Sequence, residues 1–315
     1  MKTVSLFSLC FLLLLSSCKK APLGEEVICS TIHRYGVPIE PREWENRGQS
    51  GQIVSLRKDG VTVTRSYDNG IVHGNCSYSY PYRETVQKKE IYNRGALQQE
   101  ISYFPTGLPS DQIIYESPDV QLRTFWYENG APQCQEKIEK GLLCQSEYYT
   151  PEQHMESQIQ EGFGTKTYRN SHGTLEYIDQ IEQGQTTFRT HFHPNGNPAA
   201  TVPYCNGLIE GERRSYLPEG EPLTIEMWEN DQQHGHTTTF EFGERRADIP
   251  YVEGKIHGIQ QVYQDEKNLA QEITWVKGKK HGPCYTYIGN SRQIDWYFQD
   301  RKVPNKATFD MLSNQ

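Results

Sequence analysis

An anchor residue, usually aromatic, recurs about every 23 residues along most of the chain. It commonly lies three positions before a glycine, as Tyr67 does before Gly70 and Tyr251 before Gly254. A second aromatic residue near the middle of most units divides the period into halves of 11 or 12 residues. Because a half of this length fits one short strand and one turn, the period predicts a chain of β-hairpins. The anchors are Trp44, Tyr67, Tyr92, Tyr115, Ile138, Ile159, Ile181, Tyr204, Trp228, Tyr251, Trp275 and Tyr297.

The segments between the anchors have the composition of strands and tight turns. Stretches such as Thr62-Val63-Thr64 are rich in the β-branched residues that strands favour. Asp59-Gly60, Asn69-Gly70, Asn129-Gly130 and Asn195-Gly196 favour positive φ and therefore tight hairpins. We predict an all-β fold, an elongated, twisted antiparallel meander of repeated β-hairpins with about 23 residues per unit. An open, curled sheet and a closed barrel both satisfy this pattern.

The pattern Y-x-x-G-x-x-x-G, present at residues 67–74 and 251–258, resembles the bacterial MORN-variant repeat. The resemblance extends over about residues 44–300 and implies a hairpin-repeat scaffold, without implying any single chemistry. Asp231 stands three residues after Trp228, where the pattern has glycine, so we expect a different geometry in that turn. The residues to which the resemblance assigns a structural role are Tyr67, Gly70, Gly74, Tyr204, Gly207, Gly211, Trp228, Gly235, Tyr251, Gly254, Gly258, Trp275, Gly278 and Gly282.

The N-terminus has the pattern of a targeting signal. Lys2 is followed by an apolar run over residues 6–15, which is too short for a permanent membrane span. The sequence Leu15-Ser16-Ser17-Cys18 resembles a bacterial lipobox, which implies cleavage before Cys18 and lipidation of its sulfur. Ordinary secretion is the alternative. We predict a signal peptide at residues 1–17, a lipidated tether at 18–43, a MORN-variant repeat domain at 44–303 and a C-terminal tail at 304–315.

These features predict an exported, lipid-anchored protein. The residue after Cys18 is Lys19 and not aspartate, which favours the outer membrane if the cell has two membranes. The net charge of -8 makes nucleic acid a poor partner. The expected partners are the membrane, through the lipid, and a protein or a glycan. We expect no cofactor.

Four histidines occupy the same slot, six residues after an anchor: His73, His234, His257 and His281. Equivalent positions in adjacent hairpins lie two strands apart, ~9.5 Å, so three of them cannot converge on one metal ion. We expect each histidine to pack beside its own turn and to bond the local backbone. His191 and His193 are different, because residues i and i+2 share a strand face and could bind one metal. A surface pair beside a turn is the simpler alternative.

Cys134 and Cys144 flank a turn that the sequence places at Glu139-Lys140. Their positions are one residue out of register, so a cross-strand disulfide between them requires a bulge or a longer turn. Two separate thiols fit the sequence equally well.

The chain contains no G-x-S-x-G, H-E-x-x-H or phosphate-binding loop. Our first hypothesis is therefore a non-enzymatic, lipid-anchored scaffold that binds through an extended sheet with rows of aromatic residues. A cell-wall or glycan hydrolase is the first alternative, although its paired carboxylates cannot be located in the sequence. An antitoxin-like inhibitor is the second, because MORN-variant proteins are often labelled as antitoxins.

Overall fold

The computed structural model describes residues 26–265 and 267–314 and confirms an all-β fold of antiparallel hairpins. The chain divides into two compact units, one ending at Ala96 and the other beginning at Leu97. The predicted signal peptide and the lipidation site Cys18 lie outside the described residues. Neither helix within the described ranges has the length and apolar character needed to span a bilayer.

In the first unit, β1 pairs with both β2 and β3, and each later strand pairs with the next. The sequence predicts a spacer up to residue 43, but its described part contains β1, β2 and the beginning of α1. The β-branched residues of β1 explain this difference, because they pair with β3 from Cys29↔Leu56 to His33↔Gln52. The elements are β1 (Val27–Arg34), β2 (Val37–Ile39), α1 (Pro41–Asn46), β3 (Gly51–Arg57), β4 (Thr62–Asp68), β5 (Ile71–Ser79) and β6 (Val86–Asn93).

Trp44 is not a repeat anchor, although its spacing suggests one. It lies in α1, which begins at Pro41, a residue favoured in the first turn of a helix. The Trp44 side chain is buried and its ring packs edge-on against Tyr67, with centroids 6.0 Å apart. The helix therefore covers the first true anchor of the repeat.

The second unit is one long antiparallel meander. Among the described residues, β27 pairs only with β26, and the sheet does not close. β17/β18 and β22/β23 are each one strand interrupted by a bulge, at Glu210 and His257. The strands are β7 (Ala96–Tyr103), β8 (Pro109–Ser117), β9 (Val120–Trp126), β10 (Pro132–Glu139), β11 (Leu142–Tyr149), β12 (Met155–Gln160), β13 (Phe163–Arg169), β14 (Leu175–Glu182), β15 (Gln185–Phe192), β16 (Pro198–Cys205), β17 (Leu208–Ile209), β18 (Gly211–Tyr216), β19 (Pro222–Glu229), β20 (Gln232–Glu241), β21 (Glu244–Val252), β22 (Lys255–Ile256), β23 (Gly258–Tyr263), β24 (Leu269–Val276), β25 (Lys279–Ile288), β26 (Ser291–Phe298) and β27 (Arg301–Val303).

Two kinds of turn alternate along the chain. After most anchors the turn has two residues, both with positive φ, as at Asn69 (51°) and Gly70 (77°). This is the tight hairpin that the sequence predicts. Three of the four predicted pairs, Asp59-Gly60, Asn129-Gly130 and Asn195-Gly196, lie in three-residue loops instead, in one of which Tyr127 N–H donates to Ala131 O at 2.9 Å. In each of these loops only the glycine of the pair has positive φ, at 80°, 85° and 86°.

The turn after Trp228 keeps the common geometry, contrary to the expectation from Asp231. Asn230 and Asp231 have φ values of 50° and 63°. Aspartate tolerates this left-handed region better than most residues. In addition, Asp231 Oδ1 accepts a hydrogen bond from Ile209 N–H at 2.7 Å, which a glycine could not do.

The sheet folds back on itself over β9–β14, which we call the coiled segment. There the loop after β9 meets the loop after β13, and Glu128 N–H donates to Ser171 O at 3.0 Å. The curl encloses a small core of Cys134, Tyr148, Ile159 and Ile181. The repeat is least regular in the sequence here, where the anchors are isoleucines instead of aromatic rings and two of them, Ile159 and Ile181, are buried.

The C-terminal tail forms α2 (Lys306–Ser313), which sequence analysis does not predict. The side chain of Asn305 caps this helix by accepting from Thr308 N–H at 3.0 Å. Phe309 packs on the last hairpin, 5.0 Å from the ring of His281 and 5.3 Å from that of Trp296. The helix therefore covers one side of β26.

Candidate binding face

The last five anchors share one face of the second unit, which we call the aromatic face: Tyr204, Trp228, Tyr251, Trp275 and Tyr297. Each ring is half-buried. Seven residues after each of the first four of these anchors the chain has a glycine, and the next anchor pairs with that glycine on the neighbouring strand. Trp275 pairs with Gly258 in this way, and Tyr297 pairs with Gly282. The rings therefore form a file, one on every second strand, separated by positions without side chains.

The backbone conformation explains why glycine occupies these positions. Gly258 has a φ of +116°, and a Cβ built on it would lie 3.1 Å from Cγ of Pro250. Gly282 has the same φ, with the Cβ of Thr274 at 3.3 Å. The chain bulges at these points, so a side chain would be both strained and crowded.

Polar groups lie beside the rings. Trp228 Nε1–H donates to Glu226 at 2.9 Å, and Trp275 Nε1–H donates to Gln260 at 2.9 Å. Burial, together with the nearby Glu226 carboxylate, raises the pKa of Tyr251. Lys280 Nζ lies between two rings of the file, 5.7 Å from the centroid of Trp275 and 5.5 Å from that of Tyr297.

The buried carboxylates of this face are each bound to a cation. Arg189 binds Asp179 through Nε and Nη2 at 2.6 and 2.8 Å. Arg213 Nη1 lies 2.7 Å from Glu226. Burial alone would raise the pKa of Glu226, but the bonds from Arg213, Trp228 and Thr224 outweigh it and hold the pKa below its ordinary value.

In the coiled segment, Glu136 Oε1 accepts from Lys166 Nζ at 2.7 Å and from Tyr148 OH at 2.9 Å. Burial is the main cause that raises the pKa of Tyr148, and the Glu136 charge adds to it. The same two causes raise the pKa of the Cys134 thiol to about 12. Tyr148 and Cys134 are therefore neutral, Glu136 and Lys166 form an ion pair, and their contacts stabilise the coiled segment.

A groove of about 390 Å³ lies at the beginning of the aromatic face, beside Tyr204. It is lined by Gln185, Thr186, Arg189, Tyr204, Asn206 and Gly207, together with Leu142 and the turn glycines Gly141 and Gly184. Arg189 is fixed from two sides, by Asp179 and by the ring of Tyr177, whose centroid lies 4.0 Å from its guanidinium carbon. The groove therefore combines a ring, a fixed guanidinium and backbone groups.

Two of the four equally spaced histidines bond a turn other than their own. His73 Nδ1 accepts from Arg94 N–H at 3.2 Å, and His257 Nδ1 accepts from Lys277 N–H at 3.4 Å. Both donors belong to the turn of the following hairpin. Glu210 occupies the same slot and accepts from Asn230 N–H at 2.9 Å. The expectation of a purely local bond is therefore wrong for His73 and His257, because the sheet brings the next turn alongside. His234 does lie beside its own turn, with Nδ1 3.6 Å from a carboxylate oxygen of Glu229, and the ring of His281 packs against Phe298 and Phe309.

His191 and His193 do not share a partner. The ring of His191 contacts Tyr177, with centroids 6.0 Å apart, and burial lowers its pKa. His193 Nε2 instead lies 2.9 Å from Tyr216 O. Within residues 26–265 and 267–314, no group of three or more His, Cys, Asp or Glu side chains is placed to hold a metal ion.

The pairing of Cys134 with Cys144 is not formed, and both thiols are free. The turn is Lys140-Gly141, one residue later than expected, and a bulge between Lys137 and Ile138 shifts the register further. As a result, Cys134 lies opposite Tyr148, four residues from Cys144.

Sequence analysis missed the acidic partners of the anchors. The signal was present, because an acidic residue stands two positions before several anchors, as Glu136, Asp179 and Glu226 do. Residues i and i+2 share a strand face, so this pattern places the carboxylate next to the anchor side chain. No protein-family model matches the chain, and no curated protein matches it.

Proposed function

We propose that this chain is a lipid-anchored, non-enzymatic repeat scaffold of the bacterial envelope, built from hairpins of the MORN-variant type. It binds a protein or glycan partner through the aromatic face. The observation that carries this proposal is the file of five half-exposed rings with polar groups beside them. Aromatic residues with exposed surface and fixed polar neighbours are typical of binding sites.

The binding test compares the full chain, purified in detergent, with a Trp228→Ala/Trp275→Ala variant. Both are used to capture partners from an envelope extract of the source cells and from isolated cell wall. We expect the variant to lose most of the captured partner. Phe242→Ala is the matched control, because its ring is 88% exposed in a turn outside the aromatic face. Equal capture by all three proteins would reject the aromatic face as the binding surface.

The paired carboxylates support binding over hydrolysis. A glycosidase needs one carboxylic acid and one carboxylate free to act on the substrate. On the aromatic face Asp179 and Glu226 are each bound to an arginine. We expect no release of soluble fragments when the purified chain is incubated with cell wall, with or without a chelator. Fragment release that disappears in a Glu226→Gln variant would favour the hydrolase instead.

The membrane part of the proposal rests on Cys18 alone. We expect radiolabelled palmitate to be incorporated into the wild-type chain and not into Cys18→Ala. The variant should also leave the membrane fraction, since the acyl chains provide its attachment. Unchanged labelling of Cys18→Ala would remove the lipid anchor from the proposal while leaving the binding face untouched.

A further inference from the structure

The turns that follow the anchors are normally bonded to the preceding hairpin. Gly254 N–H donates to Gln233 O at 2.9 Å, and Gly278 N–H donates to Ile256 O at 2.8 Å. Asp231 N–H does the same with Ile209 O at 3.1 Å. In the described part of the chain, neither N–H group of the Asn206–Gly207 turn has a hydrogen-bond partner. This turn borders the groove beside Tyr204.

We propose that this groove binds one neutral sugar ring of a glycan chain, with Tyr204 as the stacking surface. The inference rests on the proposed binding function and names the chemistry of the partner. A pyranose offers apolar C–H groups on its faces and hydroxyls around its edge. An aromatic ring surrounded by fixed donors and acceptors matches both features.

The polar groups of the groove are suited to hydroxyls. Arg189 is already oriented by Asp179, so it loses little conformational freedom when it donates to a ligand. Gln185 and Asn206 carry amides, and Thr186 carries a hydroxyl. The free N–H groups of Asn206 and Gly207 add two backbone donors. Together they provide several donors and acceptors around one ring.

The charge of the groove favours a neutral ligand over an acidic one. The charged side chain that lines the groove is Arg189, and the Asp179 carboxylate, 2.6 Å from its Nε, neutralises its charge. An anion would therefore meet a compensated pair instead of a free positive charge. The volume of about 390 Å³ falls at the lower end of the range for small-ligand sites, which suits a single ring and its hydroxyls.

The test measures binding to the full chain in detergent by titration calorimetry. The probes are cellotriose and chitotriose as neutral sugars, tri-galacturonate as an acidic sugar, and an N-acetylated, amidated trialanine as a peptide. We expect at least one neutral trisaccharide to bind, and Tyr204→Ala to weaken it about tenfold or more. Tyr204→Phe keeps the stacking ring and should stay within about threefold of wild type.

Two further variants exclude a general effect on folding. Asn206→Gly keeps the tight turn and removes the amide, and it should weaken the neutral sugar. Glu253→Gly makes the same kind of change at a turn whose Gly254 N–H is already bonded, and it should not. Binding of only tri-galacturonate or of only the peptide would overturn the proposal, and so would sugar binding that Tyr204→Ala leaves unchanged. Capture of a partner that depends on Trp228 and Trp275, with no trisaccharide binding, would reject this site while retaining the proposed function.

Discussion

Glycine decides where the backbone of this sheet can bend. The glycine five or seven residues after an anchor takes a φ that is strained for any other residue, and Gly164 is the tightest case. Its φ is +144°, and an added Cβ would lie 2.2 Å from the backbone oxygen of Gln158. A backbone oxygen cannot move aside as a flexible side chain can, so this position accepts only glycine.

We therefore expect Gly164→Ala to destabilise the protein by more than about 3 kcal/mol, because strain and overlap act together. The matched control is Gly254→Ala, where φ is +73° and no atom lies within 4 Å of the added Cβ. That substitution should cost only about 1 kcal/mol, the conformational penalty alone. Thermal unfolding followed by circular dichroism measures both. Equal losses would show that the contact with Gln158 does not constrain the chain.

The six cysteines of the described chain should differ widely in reactivity. The thiolate is the reactive form, and burial suppresses it. Cys134 is 5% exposed and its pKa is about 12, while Cys29 and Cys205 are exposed. At pH 8 we expect iodoacetamide to label Cys29 and Cys205 within minutes and Cys76 and Cys134 only after unfolding. Mass spectrometry of the digested protein measures this, and fast labelling of Cys134 in the folded protein would contradict the buried core.

At the scale of the elements, most hairpins in the described part of the chain are bonded to the preceding one by the turn that follows their anchor, and the Asn206–Gly207 turn is an exception. The second turn residue donates to the preceding hairpin, as Asp300 N–H does to Lys280 O at 2.9 Å. At three turns the first residue also donates to the side chain six positions after the previous anchor, which is His73, Glu210 or His257. The edge of the sheet is therefore cross-linked by hydrogen bonds in addition to the strand ladders.

His257→Ala should remove one of these links and cost about 1 kcal/mol, the ordinary value of one hydrogen bond. His257→Glu should restore most of the loss, because Glu210 accepts the equivalent bond at 2.9 Å. Hydrogen exchange at the Lys277 amide gives a local reading of the same bond. An unchanged exchange rate in His257→Ala would mean that the side chain does not protect this turn.

At the scale of the whole chain, the second unit combines two kinds of repeat. From β16 onward each hairpin contacts mainly its neighbours, as in other repeat proteins. In the coiled segment, contacts skip strands: Lys166 on β13 reaches Glu136 on β10, at 2.7 Å. A regular hairpin should therefore be removable, and a hairpin of the coiled segment should not.

We predict that deleting residues 229–251, a step of 23 residues from one anchor to the next, leaves a folded protein with a cooperative thermal transition. Deleting residues 160–181, a step of 22 residues, removes Lys166, Asp179 and Ile181 and should abolish that transition. Circular dichroism and resistance to protease measure both. Similar behaviour of the two deletions would contradict the division into a regular and a coiled part.

The period of anchors was enough to predict the strands and most turns, because strand length and turn chemistry are local. The candidate site was predicted only in part: the rows of aromatic residues were expected, but the groove beside Tyr204 was not. Its residues come from β11, β15, β16 and the adjacent turns, which lie far apart in the sequence. The sequence also left open whether Cys134 and Cys144 pair, and the position of the turn and one bulge decided that they do not.

The sequence by itself determined the class of fold, the spacing of the hairpins and the positions that require glycine. These follow from residue types at short range, where side-chain alternation and φ preferences act. Tertiary structure alone decided that Trp44 belongs to a helix, that His73 and His257 bond the following turn, and that Lys166 reaches Glu136. Each of these depends on how far the sheet twists and curls, a sum of small deviations over many strands that no local pattern encodes.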